Sequence, residues 1–260
     1  MNDATRLEAL LKRDRAVVIA GLLLLTLLAW GYLVAMARDM AGMDMASSMM
    51  HPWGWADFLM LFVMWSIMMV GMMIPAAAPL ILTFATINRK KFEQSGNRVS
   101  TVVFLSGYLL VWTAFSGVAA AAQWGLHSLA LLSPMMVSQS PALNGFLLTA
   151  AGIYQWAPLK RACLEHCQSP LSFVMNHWRE GTGGALRMGW EHGLYCVGCC
   201  WVLMALLFVM GVMNLVWVAV IAVFVLLEKI LPVGLWMGRA TGIFLIVWGL
   251  WLARGILLLN

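Results

Sequence analysis

The chain has 260 residues, of which 63% are hydrophobic and only 10% are charged, and its formal net charge at pH 7 is +5. This composition excludes an ordinary soluble domain, because a soluble chain of this length has no interior large enough for so much apolar surface. The basic residues form short patches between apolar runs, as in membrane proteins, and give no reason to expect a nucleic-acid partner. We therefore expect an all-α, polytopic membrane protein with about seven transmembrane helices, folded as a single membrane domain over residues 1–260.

Apolar segments that approach the ~20 residues needed to cross a bilayer recur along the chain. The predicted spans are residues 16–36, 58–87, 99–122, 142–157, 189–213, 215–227 and 239–259. Pro75 and Pro79 predict a kink in the second span. A polar segment, residues 158–188, follows the fourth span, and Pro158 is suited to begin a short helix there. Residues 180–184 are predicted to form a flexible turn.

Lysine and arginine are concentrated in the amino-terminal segment and in loops 88–98, 158–188 and 228–239. The positive-inside rule places these segments in the cytoplasm of a bacterium, on the inner side of its plasma membrane. The amino terminus is then cytoplasmic and the carboxyl terminus external. Glu228 and Lys229 bound the sixth span, and we interpret them as an ion pair at the membrane edge.

All five cysteines lie between residues 163 and 200, in the motifs Cys-Leu-Glu-His-Cys (163–167) and Cys-Val-Gly-Cys-Cys (196–200). Residues three and four apart share a helix face, so each motif presents its thiols on one stripe. Cytoplasmic thiols stay reduced, which disfavours a structural disulfide. We predict that both motifs form one soft-metal site, although small buried cysteines also serve as packing residues. The candidate ligands are Cys163, His166, Cys167, His192, Cys196, Cys199 and Cys200.

Three neighbouring features belong to this region. Glu165 and Glu191 each precede a candidate histidine ligand, and either could orient an imidazole or stabilise a helix amino terminus. Gly189 and Gly193 have the small-xxx-small spacing that favours close contact between membrane helices. His177 is interpreted as a residue of the membrane interface.

Methionine is abundant, and 12 of the 21 methionines lie between Met36 and Met73. Thioethers do not titrate and bind Cu⁺ in an oxidising compartment where thiols would be lost. The predicted external ligands are Met43, Met45, Met49, Met50 and His51. The second span adds a ladder with a spacing of four residues, which forms a stripe on one helix face. The ladder consists of Met60, Met64, Met68 and Met72, and it suits either an ion path or ordinary packing.

Three segments of the chain resemble a prokaryotic family of predicted metal-binding integral membrane proteins. They are MWSIMMVGMMIPAAAP (64–79), IYQWAPLKRACLEHCQSP (153–170) and GLYCVGCCWVLMALLFVMGVMNLVW (193–217). The resemblance extends from about Trp53 to Lys229 and implies a helical membrane protein that binds a metal through its five cysteines. The methionine spacing is also similar to the methionine filter of eukaryotic copper transporters.

These features favour a protein that handles Cu⁺, either by import or by delivery to a membrane metalloenzyme. The further partners expected are the lipid bilayer and a copper chaperone. The chain has no phosphate loop, no Gly-x-Ser-x-Gly and no His-Glu-x-x-His motif, so no catalytic residue is predicted. Two alternatives remain open. One is a membrane thiol–disulfide oxidoreductase, and the other is a structural subunit of a larger membrane complex with zinc or an iron–sulfur cluster.

Overall fold

The computed structural model describes residues 3–41, 54–95, 99–129, 131 and 138–257. These residues contain α-helices and no strand, so the predicted all-α class is confirmed for them. The helices are α1 (Asp3–Ala41), α2 (Trp55–Ser95), α3 (Thr101–Ser128), α4 (Pro141–Tyr154), α5 (Pro158–Gln168), α6 (Pro170–Asn176), α7 (Gly181–Ala205), α8 (Leu207–Met210), α9 (Leu215–Ile230) and α10 (Gly234–Leu257).

Five helical segments in these ranges are long and apolar enough to cross a membrane. They are Arg15–Asp39, Trp55–Lys91, Thr101–Ser128, Gly181–Met210 and Gly234–Arg254. They correspond to the predicted first, second, third, fifth and seventh spans. The predicted fourth and sixth spans lie on α4 and α9, which have 14 and 16 residues. At 1.5 Å per residue these helices are ~21 and ~24 Å long, shorter than the ~30 Å hydrocarbon layer.

The amino-terminal end of α7 differs from the prediction. The expected flexible turn at residues 180–184 is wrong, because the helix begins at Gly181 and runs through both following glycines. Only Gly181 has a left-handed backbone, with φ of 77°. Ala185 and Met188 in the next turns are buried. Burial of this apolar face outweighs the weak helix propensity of glycine, of the order of 1 kcal/mol per residue.

Helices α3 and α7 are in direct backbone contact. A Cβ atom on Gly189 would lie 2.9 Å from the Phe104 carbonyl carbon, and one on Gly107 would lie 2.9 Å from the Trp190 nitrogen. Side chains at these positions would force the helices apart, so glycine sets the helix separation. The predicted close helix contact at Gly189 is confirmed, and it brings Tyr108 against the cysteine face of α7.

Glycines also join α4 to α10. A Cβ atom on Gly145 would lie 2.9 Å from the Gly249 oxygen, and one on Gly152 would lie 2.6 Å from the Gly242 oxygen. Helix α9 packs on α2, and the short helix α5 packs on α7. The carboxyl-terminal end of α9 therefore lies near the two cysteine-bearing helices.

Candidate metal centre

Helix α7 carries four candidate ligands along one buried stripe. The stripe consists of His192, Cys196, Cys199 and Cys200. Each of these side chains is at most 3% exposed. The thiols of Cys199 and Cys200 donate hydrogen bonds to the Cys196 carbonyl oxygen at 3.0 and 2.9 Å. The helical spacing predicted from the sequence thus gathers three sulfur atoms around one turn of helix.

Helix α5 brings the other cysteine motif against this stripe. Cys163 and Cys167 are both buried. The Cys167 thiol lies within hydrogen-bonding reach of the thiols of Cys196 and Cys199. Gly198 permits this approach, because a Cβ atom there would lie 2.7 Å from the Cys163 sulfur. Sulfur atoms from both motifs therefore form one cluster, here called the thiol centre: Cys163, Cys167, Cys196, Cys199 and Cys200.

A buried lysine completes the surroundings of Cys196. The Lys229 ammonium, from α9, donates a hydrogen bond to the Cys196 sulfur at 2.8 Å. The Tyr108 hydroxyl, from α3, lies 3.0 Å from the same sulfur and donates a hydrogen bond to the Met73 carbonyl oxygen at 3.2 Å. Side chains from α3, α5 and α9 thus meet α7 at Cys196.

A second buried lysine, Lys160, forms an ion pair with Glu228. The Lys160 ammonium lies 2.6 Å from a Glu228 carboxylate oxygen, with both side chains at most 3% exposed, and Lys160 also donates to the Gln155 side chain. The interpretation of Glu228 and Lys229 as an ion pair is therefore wrong. Adjacent residues on a helix point ~100° apart, so Glu228 and Lys229 reach different partners.

His192 has an unused nitrogen atom. Its ring is flanked by those of Tyr108 and Phe173, with centroids 5.7 and 5.2 Å away. Its Nδ1 atom is buried, and within the described ranges no group forms a hydrogen bond with it. A buried polar atom without a partner costs about 1–3 kcal/mol. An imidazole nitrogen one turn before Cys196 is therefore available as a metal ligand.

His166 lies at the edge of the thiol centre. It is half-buried on α5, next to Cys167 in the chain. Its ring stacks in parallel on Tyr195 at a centroid distance of 4.2 Å. Its Nδ1 atom lies 2.8 Å from the Ala162 carbonyl oxygen. His166 is thus held at the rim by an aromatic ring and a backbone carbonyl.

The two glutamates that precede the candidate histidines form ion pairs with arginines. Glu165 pairs with Arg161 at 2.9 Å on the exposed face of α5. Glu191 pairs with Arg187 at 3.0 Å and with Arg179 at 3.4 Å. These pairs lie on the surface of α5 and α7 and contribute little to stability. In the described parts of the chain, no hydrogen bond joins either carboxylate to an imidazole.

The methionine ladder is mostly buried inside the protein. Met64, Met68 and Met72 are each 1% exposed, whereas Met60 is 67% exposed. Met73, directly after the last ladder residue, provides the carbonyl oxygen that Tyr108 contacts. The ladder therefore extends on α2 toward the thiol centre. The predicted external ligands Met43, Met45, Met49, Met50 and His51 lie outside the described residues.

The surroundings of the α5 thiols favour their protonated form. Burial raises the pKa of the Cys163 thiol above its ordinary value. Hydrogen bonds with Cys196 and Cys199, together with burial, raise the pKa of the Cys167 thiol well above its ordinary value. No group of three or more His, Cys, Asp or Glu side chains in the described ranges is already arranged to hold an ion. A metal ion would therefore displace thiol protons as the sulfur atoms turn toward it.

Two residues of this centre, Lys229 and Tyr108, were missed by the sequence analysis. Lys229 carried a signal in the sequence, because an ionisable residue within an apolar membrane helix usually faces the protein interior and commonly marks a functional site. Tyr108 carried none, since it is one aromatic residue among many in a span. Its role depends on the packing of α3 against α7.

A comparison with known protein families gives a match over residues 62–252, to the family described as PpoB2, copper chaperone. No curated protein and no solved structure matches the chain. The matched range contains both cysteine motifs, the buried methionines of α2 and Lys229. Copper handling, as expected from the soft ligands, is confirmed at the level of the family. Because the match covers more than half of its length, the chain belongs to the PpoB2 family of copper chaperones.

Proposed function

We propose that this protein is an inner-membrane copper chaperone that takes up Cu⁺ into the thiol centre and delivers it to a membrane metalloenzyme. The observation that carries the proposal is the cluster of thiols from α5 and α7 beside the Lys229 ammonium, 2.8 Å from the Cys196 sulfur. Soft thiolate ligands favour Cu⁺ over hard cations. The proposed ligands are drawn from Cys163, Cys167, Cys196 and Cys199, two of which hold the ion as thiolates at any one time, with Cys200 and His192 available for ligand exchange.

The charge of the centre supports Cu⁺ over Zn²⁺. Cu⁺ held by two thiolates carries one net negative charge, whereas Zn²⁺ held by four thiolates carries two. A buried net charge is costly unless an opposite charge lies beside it. Lys229 supplies one positive charge, and the charge of Lys160 is already balanced by Glu228. The surroundings therefore neutralise a two-thiolate Cu⁺ complex and leave a four-thiolate zinc complex negative.

We further propose that the whole chain is a single membrane domain with seven spans. Helices α4 and α9 would be the two short spans, placed beside the long helices α10 and α2 that they contact. The distribution of lysine and arginine supports a cytoplasmic amino terminus and an external carboxyl terminus. In this orientation the segment that carries α5 and α6 is cytoplasmic, where a thiol centre stays reduced.

The buried methionines support a route for Cu⁺ from the external side. Met64 and Met72 are eight residues apart, a rise of ~12 Å along α2. External ligands at Met43, Met45, Met49, Met50 and His51 would collect the ion. Met60, Met64, Met68 and Met72 would then pass it toward Tyr108 and Cys196. Weak thioether ligands bind the ion without retaining it, as a transfer path requires.

Anaerobic purification, loading with Cu⁺ and elemental analysis test the thiol centre. We expect the thiol centre of the parent protein to bind one Cu⁺ ion per chain and Cys196→Ser to lose that ion. Val197→Ser is the matched control, because it introduces the same side chain one residue away on α7 and should retain copper. Stoichiometric zinc, or iron with sulfide, would instead support a structural metal site in a subunit of a larger membrane complex. Metal-free protein with a disulfide between α5 and α7 would support the oxidoreductase.

The methionine route is tested by copper accumulation in cells. Met64→Leu and Met68→Leu keep the apolar volume and remove only the sulfur, so the stability change should stay below about 1.5 kcal/mol. We expect the double variant to need more external copper at an unchanged protein level. Normal accumulation in this variant would assign the ladder to packing.

A further inference from the structure

Two half-buried imidazoles lie side by side at the rim of the thiol centre. His166 on α5 and His177, which directly follows α6, have ring centroids 6.1 Å apart. Tyr195 of α7 lies beside both rings, at 4.2 and 6.4 Å. Phe173 stacks on His177 at 4.6 Å. Three helices and two aromatic rings therefore hold this pair of histidines in place.

Backbone contacts select the same tautomer in both rings. The Nδ1 atom of His166 lies 2.8 Å from the Ala162 carbonyl oxygen, and that of His177 lies 3.1 Å from the Phe173 carbonyl oxygen. A carbonyl oxygen only accepts hydrogen bonds, so each neutral ring donates from Nδ1. The lone pair then resides on Nε2, which is the usual arrangement of a metal-binding histidine.

The spacing of the two rings suits a two-coordinate ion. Two metal–nitrogen bonds of ~2 Å in line, with each nitrogen ~1 Å from its ring centre, place imidazole centroids ~6 Å apart. The observed separation is 6.1 Å. Larger coordination shells need more ligands, whereas Cu⁺ is satisfied by two nitrogens in line. The ring separation therefore leaves room for a two-coordinate soft cation between the rings when both Nε2 atoms face it.

The pair also adjoins the thiol centre. His166 directly precedes Cys167, whose thiol reaches those of Cys196 and Cys199. On the other side, the Phe173 ring that stacks on His177 contacts the edge of His192 at 5.2 Å. The rim pair and the thiol centre therefore share one turn of α5 and the Phe173 ring.

We propose that His166 and His177 form a second Cu⁺ site, a two-imidazole transfer site through which copper passes between the water-exposed surface and the thiol centre. This inference rests on the proposed function, since it assigns the exchange step of the same copper route. It moves His166 from the buried ligand set to the rim and gives His177 a role as a ligand rather than an interface residue.

The exchange needs no oxidant or reductant. A Cu–S bond to Cys167 forms as the Cu–N bond to His166 breaks, and copper stays in the +1 state. The thiol proton of Cys167 moves to the Nε2 atom that the ion leaves. Copper then gains a softer, anionic ligand, and the imidazole leaves as a cation that can release its proton to water.

The test compares His166→Gln/His177→Gln with the parent protein in detergent, by anaerobic Cu⁺ titration against the chelator bicinchoninate. We expect the double variant to bind one ion fewer and to release copper to the chelator more slowly, by roughly 10-fold or more, because 10- to 100-fold effects are typical when groups of a metal site are removed. His127→Gln is the matched control, because it makes the same substitution in the last turn of α3, outside the rim pair. Labelled-histidine NMR with Ag⁺, a redox-inert substitute, should shift Nε2 of both histidines in the parent protein.

The outcomes separate this inference from the proposed function. Unchanged stoichiometry and release rate in a monodisperse double variant would overturn the transfer site, even if Cys196→Ser loses its copper. Loss of all copper in the double variant would also contradict it, because the thiol centre should still fill. If Cys196→Ser keeps its full copper content, the proposed function fails while the imidazole pair is still tested by the NMR shifts.

Discussion

At Cys196 groups from three other helices converge on one sulfur atom. The Lys229 ammonium lies at 2.8 Å and the Tyr108 hydroxyl at 3.0 Å, and the Cys167 thiol completes the set. A charged lysine is costly inside a membrane protein and is commonly found paired or functional there. The hydrogen bond to the Cys196 sulfur offsets part of the cost of burying the Lys229 ammonium. An anionic copper–thiolate complex would balance the lysine charge further.

Replacing Lys229 by methionine keeps the length of the side chain and removes its charge. The anionic two-thiolate complex would then be buried without a counter-charge, and we expect the Cu⁺ affinity to fall roughly 10- to 100-fold. Competition with a chelator measures this change. Lys91→Met is the control, because the Lys91 ammonium lies over the Trp178 ring, 4.4 Å from its centroid, away from the thiol centre. Equal affinities in the two variants would contradict the role of Lys229.

At the scale of helices, glycine decides which side chains meet. Gly107 and Gly189 bring α3 onto α7, and Gly198 lets Cys163 of α5 approach α7. Small residues drive close packing in membranes, where apolar side chains gain little by leaving lipid. The thiol centre therefore depends on these three glycines as well as on its cysteines.

Gly198→Ala tests this dependence directly. The new Cβ atom would lie 2.7 Å from the Cys163 sulfur. Either the sulfur or α5 must then shift, and overpacking of this kind typically destabilises a protein by about 1–3 kcal/mol. We expect weaker copper binding and a lower thermal midpoint. Gly183→Ala, on the same helix but with open space around it, should bind copper normally and gain about 0.5–1 kcal/mol.

At the scale of the whole molecule, the short helices α4 and α9 decide how many times the chain crosses the bilayer. Five segments meet the length and apolarity required for a span. Helix α4, with 14 residues, ends at Tyr154 just before the polar α5. A bilayer that thins locally, or a short span shielded by α10, accommodates such a helix at modest cost.

Reporter fusions at three positions distinguish seven spans from five. With seven spans, fusions after Gln94 and after Glu180 report the same compartment, because the third span and α4 both cross between them. With only the five long helices crossing, those two fusions report opposite compartments. A fusion after Asn260 should differ from Gln94 in either case and serves as the control. We expect cytoplasmic signals at Gln94 and Glu180.

Much of the architecture follows from local sequence patterns. Long apolar runs predicted the five candidate spans, because hydrocarbon requires helices that satisfy their own backbone. The spacing of Cys196, Cys199 and Cys200 placed three thiols on one face, since helical periodicity is local. The start of α7 at Gly181 was missed, because its stability comes from burial against α3 rather than from helix propensity.

The sequence by itself determined the class of the protein, its long helices and the soft ligands on each cysteine-bearing helix, because hydropathy and periodicity act over a few turns of chain. Only the tertiary structure decided that α5 meets α7 at Gly198, that Lys229 reaches Cys196, and that Glu228 pairs with Lys160. These contacts join residues 33 to 68 positions apart. Which partner a buried charge finds depends on how whole helices pack, and no local pattern contains that information.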